Sequence, residues 1–202
     1  MPEKFDLLSI DILMDGPPAQ SLGVEPVDDD VMKKPPRARD APILTRLLLR
    51  RVLTSAAIIV AGTMYVYIHE MRDGHVSDRD TTMTFTTFVF FDMFNALACR
   101  SEKKSIFSVG FLTNKMFNFS VAGSILGQFL VIYMPFFQTV FQTEALTFTD
   151  LLGITLLTST VFWAEEARKF LGARNGQKLR GRHAGQGFRR VESEEEEAFE
   201  VV

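Results

Sequence analysis

The chain has 202 residues, of which 47% are hydrophobic, and its formal net charge is −3. This charge offers no basic surface for nucleic acid, so we expect no nucleic-acid partner. Cys99 is the single cysteine, which excludes an internal disulfide bond and a zinc cluster built on cysteines. The apolar residues fall in blocks about as long as a bilayer is thick, with the charges between them, and this pattern predicts a lipid bilayer as the surroundings.

Residues 12–20, with the sequence ILMDGPPAQ, form the most informative segment near the start of the chain. Proline has no amide donor and clashes with the preceding helical turn, so Gly16-Pro17-Pro18 is expected to break or unwind a helix. Lipid tolerates open backbone only where protein buries it or a wet cavity receives it. With Asp15 beside the break, the segment indicates half of an ion site. These residues alone leave open an ordinary turn after a strand of a soluble protein.

Four apolar blocks follow, and each fits the roughly 17 to 25 residues that a helix needs to cross the hydrocarbon core. They are residues 52–68, 83–99, 116–137 and 146–164. The sequence therefore predicts an all-α membrane protein with four transmembrane helices, preceded by a partial, broken helix around Asp15. Buried helices of a soluble protein are the alternative, but four such blocks would leave almost no amphipathic surface.

The segments between the blocks alternate in charge. Lys and Arg are concentrated before the first block, between the second and third, and after the fourth. Acidic residues outnumber Lys and Arg between the first and second blocks. Between the third and fourth blocks there is no Lys or Arg. Because basic loops stay on the cytoplasmic side, the N-terminal arm, the middle loop and the C-terminal tail are predicted to be cytoplasmic. Within the third block, Gly123 and Gly127 have the spacing that lets two helix backbones approach closely.

Several of these segments resemble one family, the P-type calcium ATPases of the Golgi secretory-pathway type. Residues 12–26, ILMDGPPAQSLGVEP, are similar to the sixth membrane helix of that family and the exit from it. Residues 82–97, with the motif FDMFNAL, resemble the eighth helix. NKMFN at 114–118 and the pair Gly127-Gln128 fit the ninth helix, and DLL at 150–152 fits the start of the tenth. The resemblance covers roughly residues 12–169.

The resemblance implies the arrangement of helices 7–10 of the P-type ATPase membrane domain. Residues 1–23 would be a partial sixth-helix segment with the ion-site motif, and residues 24–42 a cytoplasmic linker. Residues 43–170 would form the four-helix membrane domain of the C-terminal region. Residues 171–202 are rich in Gly and Arg and then in Glu, so a disordered cytoplasmic tail is expected there.

The family pumps Ca²⁺, and in this subfamily Mn²⁺, from the cytosol into the secretory lumen. The resemblance implies that Asp15 ligates the transported ion, since carboxylate oxygen suits both cations. Asp11 stands where the family has an asparagine, one turn earlier on the same face. Gln20 fits the motif and either lines the ion path or packs structurally. Asp92 aligns with an acidic position that serves a second calcium site in sarcoplasmic-type pumps. It would either line the ion site or have a structural role as a hydrogen-bonding group. Asn95 lies one helical turn beyond it.

The family's phosphorylation motif Asp-Lys-Thr-Gly-Thr, its Thr-Gly-Glu loop and its nucleotide-binding domain do not occur in these 202 residues. We therefore expect no catalytic residue here, and we expect ATP and Mg²⁺ to bind only in the full-length family. The expected molecule is a fragment, the C-terminal membrane domain of a Golgi Ca²⁺/Mn²⁺ pump, inactive as a pump by itself. Its expected partners are the bilayer and either the missing parts of a pump or another membrane protein.

Two other classes of function remain open from the sequence. The chain could be a stand-alone four-helix membrane module that binds a partner. It could also be a passive cation conduit that uses Asp15 and Asp92, although one or two carboxylates without a ring of oxygens make a poor filter.

Overall fold

The structure, a computed structural model, describes residues 7–25, 44–71, 74–75, 77–101 and 104–182, without the side chains of 7–13, 47 and 175–182. Within these ranges every regular element is a helix, which confirms the all-α prediction. The helices, in chain order, are α1 (Leu7–Leu22), α2 (Arg46–Glu70), α3 (Asp78–Cys99), α4 (Ile106–Val109), α5 (Lys115–Tyr133), α6 (Pro135–Phe141) and α7 (Phe148–Arg182).

Side-chain caps set where the long helices begin. Ser77 and Asp80 form a reciprocal capping box at the start of α3, in which each side chain accepts from the other residue's backbone amide at 3.2 and 3.0 Å. The Asn114 side chain accepts from the amide of Phe117 at 3.0 Å and caps α5. Such caps satisfy amides that have no partner inside the helix. The chain therefore enters both helices at defined residues.

The third predicted block, 116–137, is two helices and not one. α5 ends at Tyr133, Met134 has an extended backbone, and α6 starts at Pro135. A residue that precedes proline is pushed out of the helical region by the proline ring, which accounts for the extended Met134. The prediction was wrong at its C-terminal end for this local reason.

The fourth predicted block, 146–164, lies in a helix that is longer than expected. α7 begins at Phe148 and continues to Arg182. Residues 171–182, expected to belong to a disordered tail, are therefore helical, and residues 183–202 lie outside the described ranges. The linker expected at 24–42 also lies outside them from residue 26 onward.

Three helices of the described chain are long and apolar enough to cross a membrane, namely α2 over Leu48–Glu70, α3 and α5. The apolar part of α7 is interspersed with Thr and Ser and bounded by acids, and α7 is not among the three. Its crossing stays a prediction, which its contacts support. Asp150 near its start pairs with Arg79 at 2.9 Å, and Lys169 donates to the carbonyl of Ala98 at 2.9 Å. The rise between Asp150 and Lys169 is roughly 28 Å, which matches the hydrocarbon core.

Those contacts define two ends of the bundle. At the first end, Arg51 at the start of α2 donates to Ala98 O near the end of α3 at 3.1 Å, and pairs with Glu165 of α7 at 3.0 Å. At the second end, Arg79 at the start of α3 pairs with Glu70 at the end of α2 and with Asp150. Consecutive long helices thus run in opposite directions. The segments with an excess of basic residues, where they are described, lie at the first end.

The core is centred on α3, which packs against α7, α2 and α1. Phe91 of α3 is fully buried in a cluster with Ile59 of α2 and Val161 of α7. Gly62 of α2 lies directly over the Phe91 ring, so that a β-carbon there would overlap with the ring. The close approach of α2 to α3 therefore depends on a residue without a side chain.

Candidate cation site

Helix α1 carries the predicted ion-site motif and passes through it without interruption. It is helical from Leu7 to Leu22, with Pro17 and Pro18 inside it. The prediction that Gly16-Pro17-Pro18 breaks or unwinds this helix was therefore wrong. Packing accounts for the difference, because Met14, one turn before Pro18, is buried in a cluster with Val89 of α3 and Val131 of α5. Neighbouring helices hold the segment in a conformation that its own sequence disfavours.

The contacts of α1 fix its direction in the bundle. Met14 lies in one buried cluster with Val89, near the middle of α3, and Glu25 just beyond α1 pairs with Arg100 just beyond α3 at 2.7 Å. The second contact lies the same number of residues after the first along α1 as along α3, so the two helices run parallel. Against α5 the order is reversed, because Met14 contacts Ser124 whereas Ser21 contacts Asn114.

This register places two of the predicted carboxylates at similar depth. Asp15 follows Met14, and Asp92 lies three residues beyond Val89, on the face of α3 that Val89 turns toward α1. Along the helix axes the two carboxylates differ by roughly 3 Å. Both side chains are half-buried. The structure thus brings Asp15 and Asp92 to one level of the bundle.

The other predicted site residues are placed less uniformly. Gln20 is exposed, and the side chain of Asp11 lies outside the described residues. Asn95 is half-buried, and its Oδ1 is buried without a hydrogen-bond partner among the described atoms. Within the described ranges, no three side chains of His, Cys, Asp or Glu come together as a metal-binding group.

Gly127, one of the two glycines expected at a helix contact, does lie at one. A β-carbon on Gly127 would meet the Met14 methyl at 3.2 Å, whereas one on Gly123 would meet no atom within 4 Å. The close approach of α5 to α1 therefore uses Gly127 and not Gly123.

A buried network at the exit of α1 was missed by the sequence analysis. The Arg100 side chain is fully buried and donates to both carboxylate oxygens of Glu25 and to the carbonyls of Gly110 and Phe111, these last two at 3.1 Å. Asn114 donates to Glu25 Oε2 at 2.7 Å and to the carbonyl of Ser21 at 2.9 Å. We call these three residues, Glu25, Arg100 and Asn114, the exit clamp. Its signal in the sequence, an arginine at the end of an apolar block, is also that of an ordinary basic loop.

A second network lies at the first end of the bundle, on α7 beyond the predicted fourth block. The buried Glu166 carboxylate accepts hydrogen bonds from the Ser105 hydroxyl and from the Lys169 ammonium group. Lys169 is itself buried and pairs with Glu166 at 3.1 Å. This network ties α7 to α3 and to the segment before α4.

Comparisons with known proteins identify the family of the chain. Residues 4–171 match the family described as "Cation transporting ATPase, C-terminus". Over 166 residues the chain is 62% identical to "Calcium-transporting ATPase 1" of Saccharomyces cerevisiae, which covers 82% of this chain and 18% of that protein. Over 165 residues it is 58% identical to "Calcium-transporting ATPase type 2C member 1" of Mus musculus, with the same two coverages.

"Calcium-transporting ATPase type 2C member 2" of Homo sapiens is 57% identical over 166 residues, again 82% of this chain and 18% of the relative. The chain thus spans less than a fifth of the length of these curated relatives. The resemblance inferred from the sequence motifs is confirmed. The chain belongs to the cation-transporting ATPase family and contains the C-terminal, membrane-embedded region of that family.

Proposed function

We propose that the chain is the C-terminal membrane part of a P-type pump that moves Ca²⁺ and Mn²⁺ from the cytosol into the Golgi lumen. The relatives named above are calcium-transporting ATPases, which supports Ca²⁺ as the transported ion. Mn²⁺ is included because carboxylate oxygens bind both cations. The Golgi assignment follows the resemblance to the secretory-pathway type.

One observation supports this function above the others, namely the common depth of Asp15 and Asp92 between parallel helices. A carboxylate inside a membrane bundle is costly and is usually retained for a functional reason. Two of them at one level provide the oxygens that a divalent cation needs, with further ligands to come from other helices of a pump. In this proposal Asp15 is the principal ligand, while Asp11, Asp92, Asn95 and Gln20 contribute oxygens or line the path.

These 202 residues are proposed to supply the ion path and not the driving reaction. In this family transport against a gradient requires a phosphorylated aspartate, and ATP and Mg²⁺ would bind only in the full-length pump. We expect no ATP hydrolysis by this chain alone. The N-terminal arm and the tail are proposed to be cytoplasmic, which agrees with the basic segments at the first end of the bundle.

The experiment that tests the proposal is a chimera. The 62% identity allows this chain to replace the matching segment of the Saccharomyces pump, in a strain that lacks its own copy. The chimera is expected to accumulate Ca²⁺ and Mn²⁺ in Golgi vesicles in the presence of ATP. A chimera that is made and inserted normally but does not transport would contradict the proposed function.

Asp15→Asn in the chimera is the first testable variant. It removes a charged oxygen ligand while keeping the shape of the side chain, so cation uptake is expected to fall to background. Asp78→Asn, at an exposed position of α3, is the matched control and is expected to transport normally. Uptake that survives Asp15→Asn would contradict the assignment of Asp15 as the principal ligand.

The passive conduit is distinguished by the same vesicles. A conduit would equilibrate Ca²⁺ without ATP, and this chain alone would suffice. A stand-alone module would show neither activity. No contact in the described part of the chain favours either of these over the pump.

A further inference from the structure

Helix α1 loses a hydrogen bond beside Asp15. In a regular α-helix the amide of residue 18 donates to the carbonyl of residue 14. Residue 18 is Pro18, which has no amide hydrogen, so the Met14 carbonyl loses its donor within the helix. Met14 and Pro18 are both buried, so water is a poor substitute. A buried carbonyl left without a donor is destabilising.

Another helix supplies the missing donor. The Ser124 hydroxyl of α5 donates to the Met14 carbonyl oxygen at 2.7 Å. Ser124 is itself buried, with 5% of its surface exposed. Gly127, one turn further along α5, lets the two helices approach closely enough for this bond. The Ser124 hydroxyl thus donates to the Met14 carbonyl, whose donor within the helix is missing because residue 18 is proline.

The bond acts on the peptide unit that leads directly into Asp15. The carbonyl of Met14 and the amide of Asp15 belong to one rigid, planar group. Holding that oxygen therefore fixes the orientation of the peptide plane that leads to the α-carbon of Asp15. A hydroxyl on a neighbouring helix also couples this orientation to the position of α5.

We propose that Ser124 is a positioning residue of the cation site, which replaces the helix hydrogen bond lost at Pro18 and thereby orients Asp15. This inference rests on the proposed function for its effect on transport. The exchange of one donor for another is a property of the chain itself and is tested separately.

The first test is a double-mutant cycle on the full chain in detergent, with thermal unfolding as the measurement. Ser124→Ala leaves the Met14 carbonyl without a donor and is expected to lower Tm by about 4 °C. Pro18→Ala restores an amide donor at residue 18. In the Pro18→Ala background, Ser124→Ala is therefore expected to change Tm by less than half as much. Ser120→Ala, one turn earlier on α5, is the matched control and is expected to lower Tm by the same amount in both backgrounds.

Equal losses for Ser124→Ala with and without Pro18 would overturn the proposal, and so would failure of both variants to fold. A loss that is reduced by Pro18→Ala supports the exchange of donors even if the chimera proves inactive. The two proposals can therefore fail independently.

The second test measures transport in the chimera. Because Ser124 orients a ligand and does not take part in phosphorylation, Ser124→Ala is expected to raise the KM for Ca²⁺ about tenfold while kcat changes little. Ser124→Thr keeps the hydroxyl and is expected to restore the KM. A merely structural role would lower the amount of active protein, and hence Vmax, with an unchanged KM, and that result would overturn the positioning role.

Discussion

At the scale of single residues, buried polar groups decide how α1 sits in the bundle. The Arg100 side chain is fully buried and the Glu25 side chain is 15% exposed, and the two charges are paired at 2.7 Å. The Phe117 ring lies 5.2 Å from the guanidinium carbon and adds a cation–π contact. A buried ion pair contributes little over an apolar pair, but the loss of one partner leaves an unpaired buried charge. The exit clamp is therefore sensitive to single substitutions.

Arg100→Met is expected to lower the free energy of unfolding by about 3 kcal/mol, because Glu25 loses its charged partner and two carbonyls lose the donors that Arg100 provides. Denaturant unfolding of the chain in detergent measures the loss. Arg174→Met, at an exposed position near the end of α7, is the control and is expected to stay within about 0.5 kcal/mol of the parent. A loss at Arg100 no larger than that at Arg174 would show that the clamp does not hold α1.

At the scale of elements, the packing of long helices depends on where side chains are absent. The α2–α3 contact is made at Gly62, where the Phe91 ring occupies the space of a side chain. At the α1–α5 contact a β-carbon on Gly127 would meet the Met14 methyl group at 3.2 Å, which is a tight contact and not an overlap. Gly153 of α7, by contrast, has no atom within 4 Å of a would-be β-carbon. Glycines in one chain thus differ in role according to what faces them.

Gly62→Ala is expected to destabilise the chain by about 2 kcal/mol, because the new methyl group overlaps with a fully buried ring that has little room to move. Gly153→Ala is the matched control, since it adds the same methyl group into open space. It is expected to be neutral or to stabilise by up to about 1 kcal/mol through helix propensity. Thermal unfolding of both variants in detergent makes the comparison, and equal effects at the two sites would contradict the packing at Gly62.

At the scale of the whole molecule, the antiparallel order of α2, α3, α5 and α7 gives the bundle two distinct ends. Arg51, Ala98 and Lys169 mark the first end, and Arg79 with Asp150 marks the second. The charge alternation of the sequence supports the proposal that the first end faces the cytoplasm. The structure shows which residues lie together at each end of the bundle. Which end faces the cytoplasm is part of the proposed function.

Cys99 provides a direct measurement of sidedness, since it is exposed, lies at the first end, and is the single cysteine of the chain. In sealed microsomes, whose outer face is cytoplasmic, an impermeant maleimide is expected to label Cys99 without permeabilisation. The control is Glu144→Cys in a Cys99→Ser background, at an exposed position of the second end. It is expected to react only after permeabilisation, and the reverse pattern would contradict the predicted topology.

The helical segments could be predicted from the sequence because each depends on local information. Apolar blocks of bilayer length and the capping residues before them determine where α2, α3 and α5 form, and Pro135 explains why the third block is shorter than expected. The candidate site was predicted through Asp15 and Asp92, whose residue type is unusual in apolar surroundings. The exit clamp was not, because Glu25 and Arg100 lie far apart in the chain and carry charges that are common in loops.

The sequence by itself determined the class of the protein, its family and the carboxylates proposed for the cation. Composition and the length of the apolar blocks indicate the membrane class, whereas the family and the role of the carboxylates are what the resemblance of the motifs implies. Only the tertiary structure decided that α1 stays helical through Pro17 and Pro18, and that Asp15 and Asp92 share one depth. The physical reason is that a proline removes a donor locally, whereas the replacement comes from Ser124, more than one hundred residues later in the chain.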